Sequence, residues 1–560
     1  MKTWKTNLEE TKQRYINWWN HKGIILSMWE HFQEGVKPHA DIAPPAPARD
    51  LSQKWFDPQW RAEYLDWYVA HSSLMADMLP VANTQLGPGS LAAILGGVFE
   101  GGEDTIWIHP DPNFNDEIVF NPEHPNWLLH KELLKACKAK ANGNYFVGMP
   151  DLMEGLDVLA ALKGTDMVLL DTVMQPEVLE QQMQQINDIY FKVFDELYDI
   201  IREGDEMAFC YFSSWAPGKM SKLQSDISTM ISQDDYRRFV QPFIREQCQK
   251  IDYTLYHLDG VGAMHHLPAL LEIEELNAIQ WTPGVGEPQG GSPKWYDLYK
   301  KILAGGKSVM ACWVTLEELK PLLDHIGADG VHLEMDFHNE REVEQAMRII
   351  EEYTGSSSSV SADVHTNQPV GEQDNAQESI RIREEKSQEE DRMKPLYDAI
   401  VAGKLEPAVE VTKDAIAAGV LPQDIINGYM ITAMGEVGQR FQDGKAFVPQ
   451  LLMAGRAMKG ALELLKPLLA GNASATIGKI VIGTVKGDLH DIGKNLVASM
   501  LEGCGFEVIN IGIDVTCDKF VEAVKENKAD ILCMSALLTT TMTYICLLYT
   551  SPSPRDPKTS

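Results

Sequence analysis

From Ser356 to Glu390 the chain reads S-S-S-S-V-S-A-D-V-H-T-N-Q-P and then a Glu-, Gln- and Arg-rich run. Such a stretch is too poor in large apolar side chains to bury a core, so the residues on either side of it must fold around separate cores. The two sides differ in composition: all thirteen tryptophans precede the stretch, the last at Trp313. A tether of this kind keeps one domain at high effective concentration over the other and still lets it visit other partners. Five segments are expected: a domain at 1–355, a disordered linker at 356–390, a helical domain at 391–470, an α/β domain at 471–545 and a tail at 546–560.

The strongest chemical signal lies in the second half. Gly483 to Gly493 read G-T-V-K-G-D-L-H-D-I-G, with a D-x-H-x-x-G formed by Asp488, His490 and Gly493. A neutral imidazole coordinates a soft metal through one nitrogen while a carboxylate accepts a hydrogen bond from the other, and Asp488 is spaced for that second role. The flanking glycines permit a narrow turn and close backbone approach to a flat macrocycle. A strand at Lys479 to Ile482 precedes the motif and a helix from Ile492 to Leu501 follows. A second strand passes through Phe506-Glu507-Val508, and a third apolar run closes at Ser535-Ala536-Leu537-Leu538-Thr539-Thr540-Thr541. That order suits a nucleotide-type α/β domain.

These residues resemble the corrinoid-binding signature of cobalamin-dependent methyltransferases such as methionine synthase. The resemblance implies cobalamin as cofactor, His490 as the lower axial cobalt ligand and a Rossmann- or flavodoxin-like fold. It further implies that Ser535, Leu537 and Thr539 form the family's S-x-L-x-T segment, with Ser535 and Thr539 lining the slot for the displaced nucleotide tail and Thr541 bonding near Asp488. Upstream, Met393 to Ala470 is helical by its three- and four-residue apolar spacing, and breaks at Gly403, Gly419 to Pro422 and Asp443 to Pro449 divide it into four helices. M-G-E-V-G-Q-R-F, F-V-P-Q-L and R-A-M look like the helical cap of the same family. Met434, Val437, Phe441 and Phe447 then shield the upper cobalt face, pack as bundle core, or do both.

After about Tyr544 the chain reads I-C-L-L-Y-T-S-P-S-P-R-D-P-K-T-S, and Pro552, Pro554 and Pro557 forbid the helix expected there. The expectation is a non-native tail on an α/β domain truncated after three strands, with an open apolar edge and poor corrinoid retention.

Composition excludes several classes. A formal charge of −32, from 81 acidic against 49 basic side chains, repels a phosphate backbone, so nucleic acid is not an expected partner. No run of eighteen apolar residues suggests a membrane span. The start lacks a secretion signal, and the eight cysteines fall in no C-x-x-C pair, which reads as a cytoplasmic protein without disulfides.

The first 350 or so residues alternate short apolar strands with amphipathic helices. Strands are expected at Ile24–Met28, Tyr145–Gly148, Met167–Leu170, Ala208–Phe212, Thr254–Leu258, Ala278–Trp281, Ser308–Cys312 and Gly330–Leu333. One long strand-free stretch reads as an insertion. The pattern suggests a β/α barrel with its site at the strand C-termini. With G-P-G-S-L-A (Gly87 to Ala92) and H-L-D-G-V-G (His257 to Gly262), this part resembles the uroporphyrinogen decarboxylase-like superfamily, which includes zinc methyltransferases acting on corrinoid proteins. The paired arginines that a polycarboxylate substrate needs are absent from I-L-S-M-W-E-H-F, which argues against decarboxylase.

The methyltransferase branch usually carries H-x-C and a later Cys for zinc; here His257-Leu258-Asp259 and Glu334 with Asp336 stand in those places. A His/carboxylate site leaves a harder Lewis acid, suited to an oxygen or nitrogen leaving group. The expected function is a methyltransferase that moves a methyl group from a small donor (ether, alcohol or methylated amine) to Co(I) of its own cobalamin-binding domain. His257, Asp259 and Glu334 are the expected zinc ligands, with Cys312 in reserve. Asp226, His257 and Asp259 are the expected catalytic residues, Asp226 as acid/base. Trp29, Trp215, Trp281 and Trp313 are candidates for an aromatic box around a quaternary ammonium. The alternatives are transfer from methyl-cobalt to a thiol or pterin, or a non-catalytic corrinoid carrier. A second methyltransferase and a corrinoid-reactivating protein are the implied partners.

Overall fold

The computed structural model describes residues 4–102, 105–111, 114–153, 155–284, 286–354, 384–469, 478–488, 492–503, 506–536 and 545. The chain divides into two compact units, Met1–Ser358 and Ser359–Ser560. Most of the expected linker, through residue 383, lies outside the described residues, and its last residues begin the helix Glu384–Val401.

In the first unit the strands are β1 Ile24–Ser27, β2 Val81–Ala82, β3 Val98–Gly101, β4 Ile106–His109, β5 Phe146–Met149, β6 Met207–Phe209, β7 Trp215–Ala216, β8 Met220–Gln224, β9 Tyr253–Asp259, β10 Ala278–Thr282, β11 Ser308–Val314 and β12 Val331–Met335. Six form a sheet in the order β1-β12-β11-β10-β9-β8, parallel throughout. A second sheet runs β2-β5-β6-β7, parallel except at β7, and β3 with β4 forms an antiparallel hairpin. Helices take up most of the connections, so strands such as β1 and β12 are buried along their whole length, as parallel strands covered on both faces are.

The first strand of the unit pairs with the last. At the other edge of β1, Asp77 replaces a strand: its carboxylate accepts from the Leu26 N–H (3.0 Å) and its own N–H donates to the Leu26 carbonyl (2.9 Å). The pairings give two sheets, and among the described residues no ladder joins them into a closed barrel.

Two expectations change. Met167–Leu170 belongs to the helix Thr165–Met174, where Val168 and Leu169 are buried and Met167 faces solvent. A short apolar run fits either element, and here Gly164, with φ 94°, starts a helix carrying Asp166 in its first turn. Conversely, β8 is a buried strand containing Ser221, Lys222 and Gln224, polar residues that hid it from apolar patterning.

In the second unit the helices are Glu384–Val401, Leu405–Ala417, a composite segment of Pro422–Ile425, a π-turn at Ile426–Met430 and Ile431–Gln442, and finally Val448–Leu469. Gly403 has φ 66°, and a Cβ there would lie 2.6 Å from the Cβ of Met453. Leu396, Ile400, Met430, Met434, Val437 and Met458 pack in the bundle core, whereas Phe441 is exposed. Strands β13 Lys479–Thr484, β14 Glu507–Asn510 and β15 Ile531–Ser535 follow as a parallel sheet in the order β14-β13-β15. This is an α/β protein whose second unit is a helical cap plus a flavodoxin-like domain. Among the described residues no helix is long and apolar enough to cross a membrane.

Candidate functional site

In the first unit the register of the parallel sheet assembles the site. Ile25, His332, Met310, Gln280, His257 and Gln224 lie opposite one another across six strands. Two residues further on, the same face carries Ser27, Glu334, Cys312, Thr282 and Asp259 at the strand C-termini, and Asp226 follows directly after β8.

Asp226, His257 and Asp259 form the metal-capable group among the described residues, each offering a ligand atom within 4.8 Å of the others. His257 Nε2 lies 4.0 Å from Asp259 Oδ2. The other ring nitrogen, Nδ1, bonds the side-chain oxygen of Gln280, whose amide nitrogen donates to Thr282 Oγ1 (2.7 Å) and Cys312 Sγ (3.0 Å). With its amide oriented by those two acceptors, Gln280 accepts the Nδ1 proton and leaves the Nε2 lone pair facing the carboxylates. Burial, with Lys222 nearby, lowers the His257 pKa to about 3, so the imidazole is neutral at physiological pH.

Asp226 is the exposed member of the group. Desolvation of its carboxyl oxygens pushes the carboxyl up, Asp157 and Asp259 add to the shift, and Lys222 opposes it. Burial raises Asp259 as well. Asp157 is pinned by the backbone N–H groups of Asp226 (2.8 Å) and Ile227 (3.0 Å). Lys222 pairs with Asp151 at 2.6 Å, both almost fully buried, and Gln224 donates to Asp226 (2.9 Å). The sequence reading missed Gln280, Lys222, Asp151 and Asp157; for Gln280 and Lys222 the polar alternation within A-I-Q-W-T and M-S-K-L-Q was the available signal.

Glu334 and Cys312 lie outside the metal-capable group, opposite each other in the β11–β12 register. Burial raises the Glu334 carboxyl to about 8, with the neighbouring Cys312 thiol opposing the shift. Burial and then Glu334 raise the Cys312 thiol. The deeper His332 bonds Ser27 Oγ at 2.6 Å.

Of the four tryptophans proposed as an aromatic box, only Trp29 and Trp313 meet, stacked at 5.9 Å. Tyr211 and Phe212 complete this wall, 4.9 and 4.8 Å from Trp29, and Phe212 lies 6.2 Å from His257. Both Phe212 and Trp313 hold positive φ, 57° and 54°, backbone strain that clusters at functional sites. Trp215 and Trp281 are instead core, against Tyr15 and Trp295.

In the second unit the chain leaves β13 for β14 on one side and then β15 on the other, so the topological switch lies between the C-termini of β13 and β15. There Val485 N donates to the Ser535 carbonyl (3.0 Å), and Gly487, with φ 78°, makes a tight turn. Asp514 Oδ1 accepts from Gly487 N (2.8 Å), and its N–H donates to the Asp488 carbonyl (3.2 Å). Asp488 is fully buried. Gly493 lies in the helix Ile492–Gly503; His490, Leu537, Thr539 and Thr541 lie outside the described residues. A glycine turn at the switch point and a buried carboxylate two residues before a histidine fit a metal-bearing macrocycle.

Residues 393–466 and 478–547 match two family models, each described as a B12 binding domain. The chain is 46% identical over 147 residues to trimethylamine corrinoid protein 1 of Methanosarcina mazei, covering 26% of this chain and 68% of that protein. It is 43% identical over 154 residues to the dimethylamine corrinoid protein of Methanosarcina barkeri, covering 27% and 72%. Among solved structures, the methanol:cobalamin methyltransferase complex of Methanosarcina barkeri shares 32% identity over 30% of this chain and 67% of that one, with a TM-score of 0.26. The chain thus spans about two thirds of the length of these relatives, and the matches leave its first unit unassigned. Through its second unit the chain belongs to the corrinoid-protein family, whose cap and flavodoxin-like domain bind cobalamin.

Proposed function

We propose that the chain is a methyltransferase that takes a methyl group from a small methylated donor at the Asp226–His257–Asp259 group and delivers it to the corrinoid of its own second unit. The observation that carries this reading is the convergence of a neutral histidine and two carboxylates at the C-termini of parallel strands, in a chain that also contains a corrinoid domain. Bound corrinoid supplies a cobalt nucleophile for the methyl group. In the first unit His257 Nε2, Asp226 and Asp259 would hold a divalent ion, zinc in our reading, which would supply Lewis-acid activation of the leaving oxygen or nitrogen. Where no ion is bound, the raised Asp226 carboxyl donates its proton to that atom instead.

Cys312 on β11 accepts from Gln280 and so helps orient His257, with Glu334 opposite it on β12. In this reading His490 would hold the cobalt, and Asp488, two residues before it, would accept its second ring proton. The pairing of β1 with β12 supports a β/α barrel in which the two parallel sheets are successive arcs. Methylamines are the first donors to try, because the relatives' names carry them, followed by ethers and alcohols. A second methyltransferase and a reactivating protein are the partners this chemistry asks for.

Elemental analysis after dialysis tests the site. One divalent ion per chain, lost in His257→Ala, supports it. Unchanged metal content in that variant contradicts it.

A further inference from the structure

A cavity of about 600 Å³, within the size range of small-molecule sites, opens in the first unit beside Trp29 and Tyr211 of the aromatic wall. No member of the Asp226–His257–Asp259 group lines it. Part of its lining comes from strand C-termini: Trp29 lies two residues beyond β1, Asn83 directly after β2 and Tyr211 two residues beyond β6, and each of these strands runs parallel to a neighbour. The carboxyl ends of such strands are where ligands of α/β proteins bind.

One helix supplies much of the rest. In Pro58–His71 the residues Trp60, Tyr64 and Tyr68 recur every four positions and so share a face; Trp60 stacks on Tyr64 at 5.5 Å, and Tyr64 meets Tyr68 at 6.3 Å. Trp55, from the preceding helix Leu51–Phe56, lines the cavity as well. The polar tips of these rings are taken by the chain itself: Trp55 Nε1 donates to the Gly102 carbonyl (2.7 Å), Trp60 Nε1 to that of Ala46 (2.8 Å) and the Tyr68 hydroxyl to that of His31 (3.3 Å). Tied to backbone at their tips, the rings are held in place and offer a ligand aromatic surface rather than donors.

Charge narrows the class. Arg61 and Lys54 already lie over the Trp55 ring, at 5.3 and 5.2 Å, so a ligand cation seeking that face meets like charge. An anion finds no fork to bind, because Arg61 is buried, its Nη2 donates to the carbonyls of Asn83 (3.2 Å) and Gln85 (3.0 Å), and its Nη1 has no surface. Glu30 also lines the cavity and opposes an anion; burial and then Glu30 push the Tyr68 phenol up to about 12. A flat, uncharged ring instead pairs with this lining in the offset or edge-on geometries that aromatic side chains favour.

We propose that this cavity is a binding site for an uncharged, planar aromatic compound, its ring held among Trp29, Trp55, Trp60, Tyr64, Tyr68 and Tyr211. The inference concerns binding alone and stands apart from the methyl-transfer reading.

Calorimetric titration of the full chain, without added metal or corrinoid, tests it with methoxybenzene and three analogues. Methoxycyclohexane keeps the ether and loses the flat ring; benzoate and phenyltrimethylammonium keep the ring and add a charge of either sign. The expected result is that methoxybenzene binds at least about tenfold tighter than each of the three, the discrimination that two aromatic contacts supply, and that Trp60→Leu and Tyr68→Leu each weaken it by about threefold or more. A smaller preference over any of the three, or no binding of methoxybenzene, overturns the proposal, as does an affinity unchanged in the folded variants. The wild-type comparison needs no variant to fold. Either outcome leaves the methyl-transfer reading to its own test.

Discussion

The Nδ1 of His257 bonds the side-chain oxygen of Gln280 across the β9–β10 pairing, and this one contact selects which ring nitrogen faces Asp226 and Asp259. Because Thr282 and Cys312 accept from the Gln280 amide nitrogen, the amide cannot turn over without losing both bonds. Orientation of a ligand histidine by such a partner typically governs metal affinity by about ten- to a hundredfold.

Gln280→Leu should therefore weaken divalent-ion binding by about that factor in a chelator competition, with the ion count per chain unchanged at saturation. Unaltered affinity would separate Gln280 from the site.

Ion binding should also strengthen with pH. His257 stays neutral far below physiological pH, its pKa being about 3, so it does not compete. Asp226 and Asp259 have raised carboxyls and must give up protons to the ion. Titrations should show tighter binding as pH rises and proton release on metal addition, most of it abolished by Asp226→Asn. Affinity independent of pH would contradict the raised carboxyls.

Glu334 makes a separate, stability-linked prediction. Its pKa rises from 4.5 to about 8 on folding, so the folded chain holds a proton that the unfolded chain releases. The stability associated with this proton is full below about pH 4.5 and is lost as pH rises toward 8. Metal-free Glu334→Gln should flatten the fall in melting temperature across that window and melt above the wild type at its upper end. Parallel curves for the two proteins would show that Glu334 ionises normally.

The His490 assignment has a spectroscopic signature. Protein loaded with cobalamin and brought to Co(II) should show nitrogen splitting from the histidine in electron paramagnetic resonance, and His490→Ala should lose it. A wild type without that splitting would remove His490 as ligand.

Where the sequence was informative, local chemistry and final environment coincide. Gly403 breaks a helix where φ is positive and where the Met453 side chain leaves no room for a Cβ. Strands β9 to β12 sit largely buried in a parallel sheet, and their apolar residues marked them in the sequence. What stayed hidden depends on partners far along the chain. Lys222 reads as a surface residue until Asp151, 71 positions earlier, neutralises it inside the sheet, and so β8 went unseen. Trp215 and Trp281 carry no sequence mark that separates core from cavity wall, although both end up in the core. Gln280 was passed over because an amide in a strand announces no chemistry until its register opposite His257 is known.

The central claim is that the first unit delivers a methyl group to the corrinoid of the second. Its most direct test is the absorption spectrum of the full chain loaded with cobalamin, reduced to Co(I) without oxygen, and offered methylamines, methyl ethers and methanol in turn. The account predicts loss of the Co(I) band with at least one donor, at a rate that His257→Ala lowers by a hundredfold or more, about the share that leaving-group activation supplies, while methyl iodide still methylates both proteins. A Co(I) band that persists with every donor and responds only to methyl iodide, or a donor reaction that proceeds equally in His257→Ala, would contradict it.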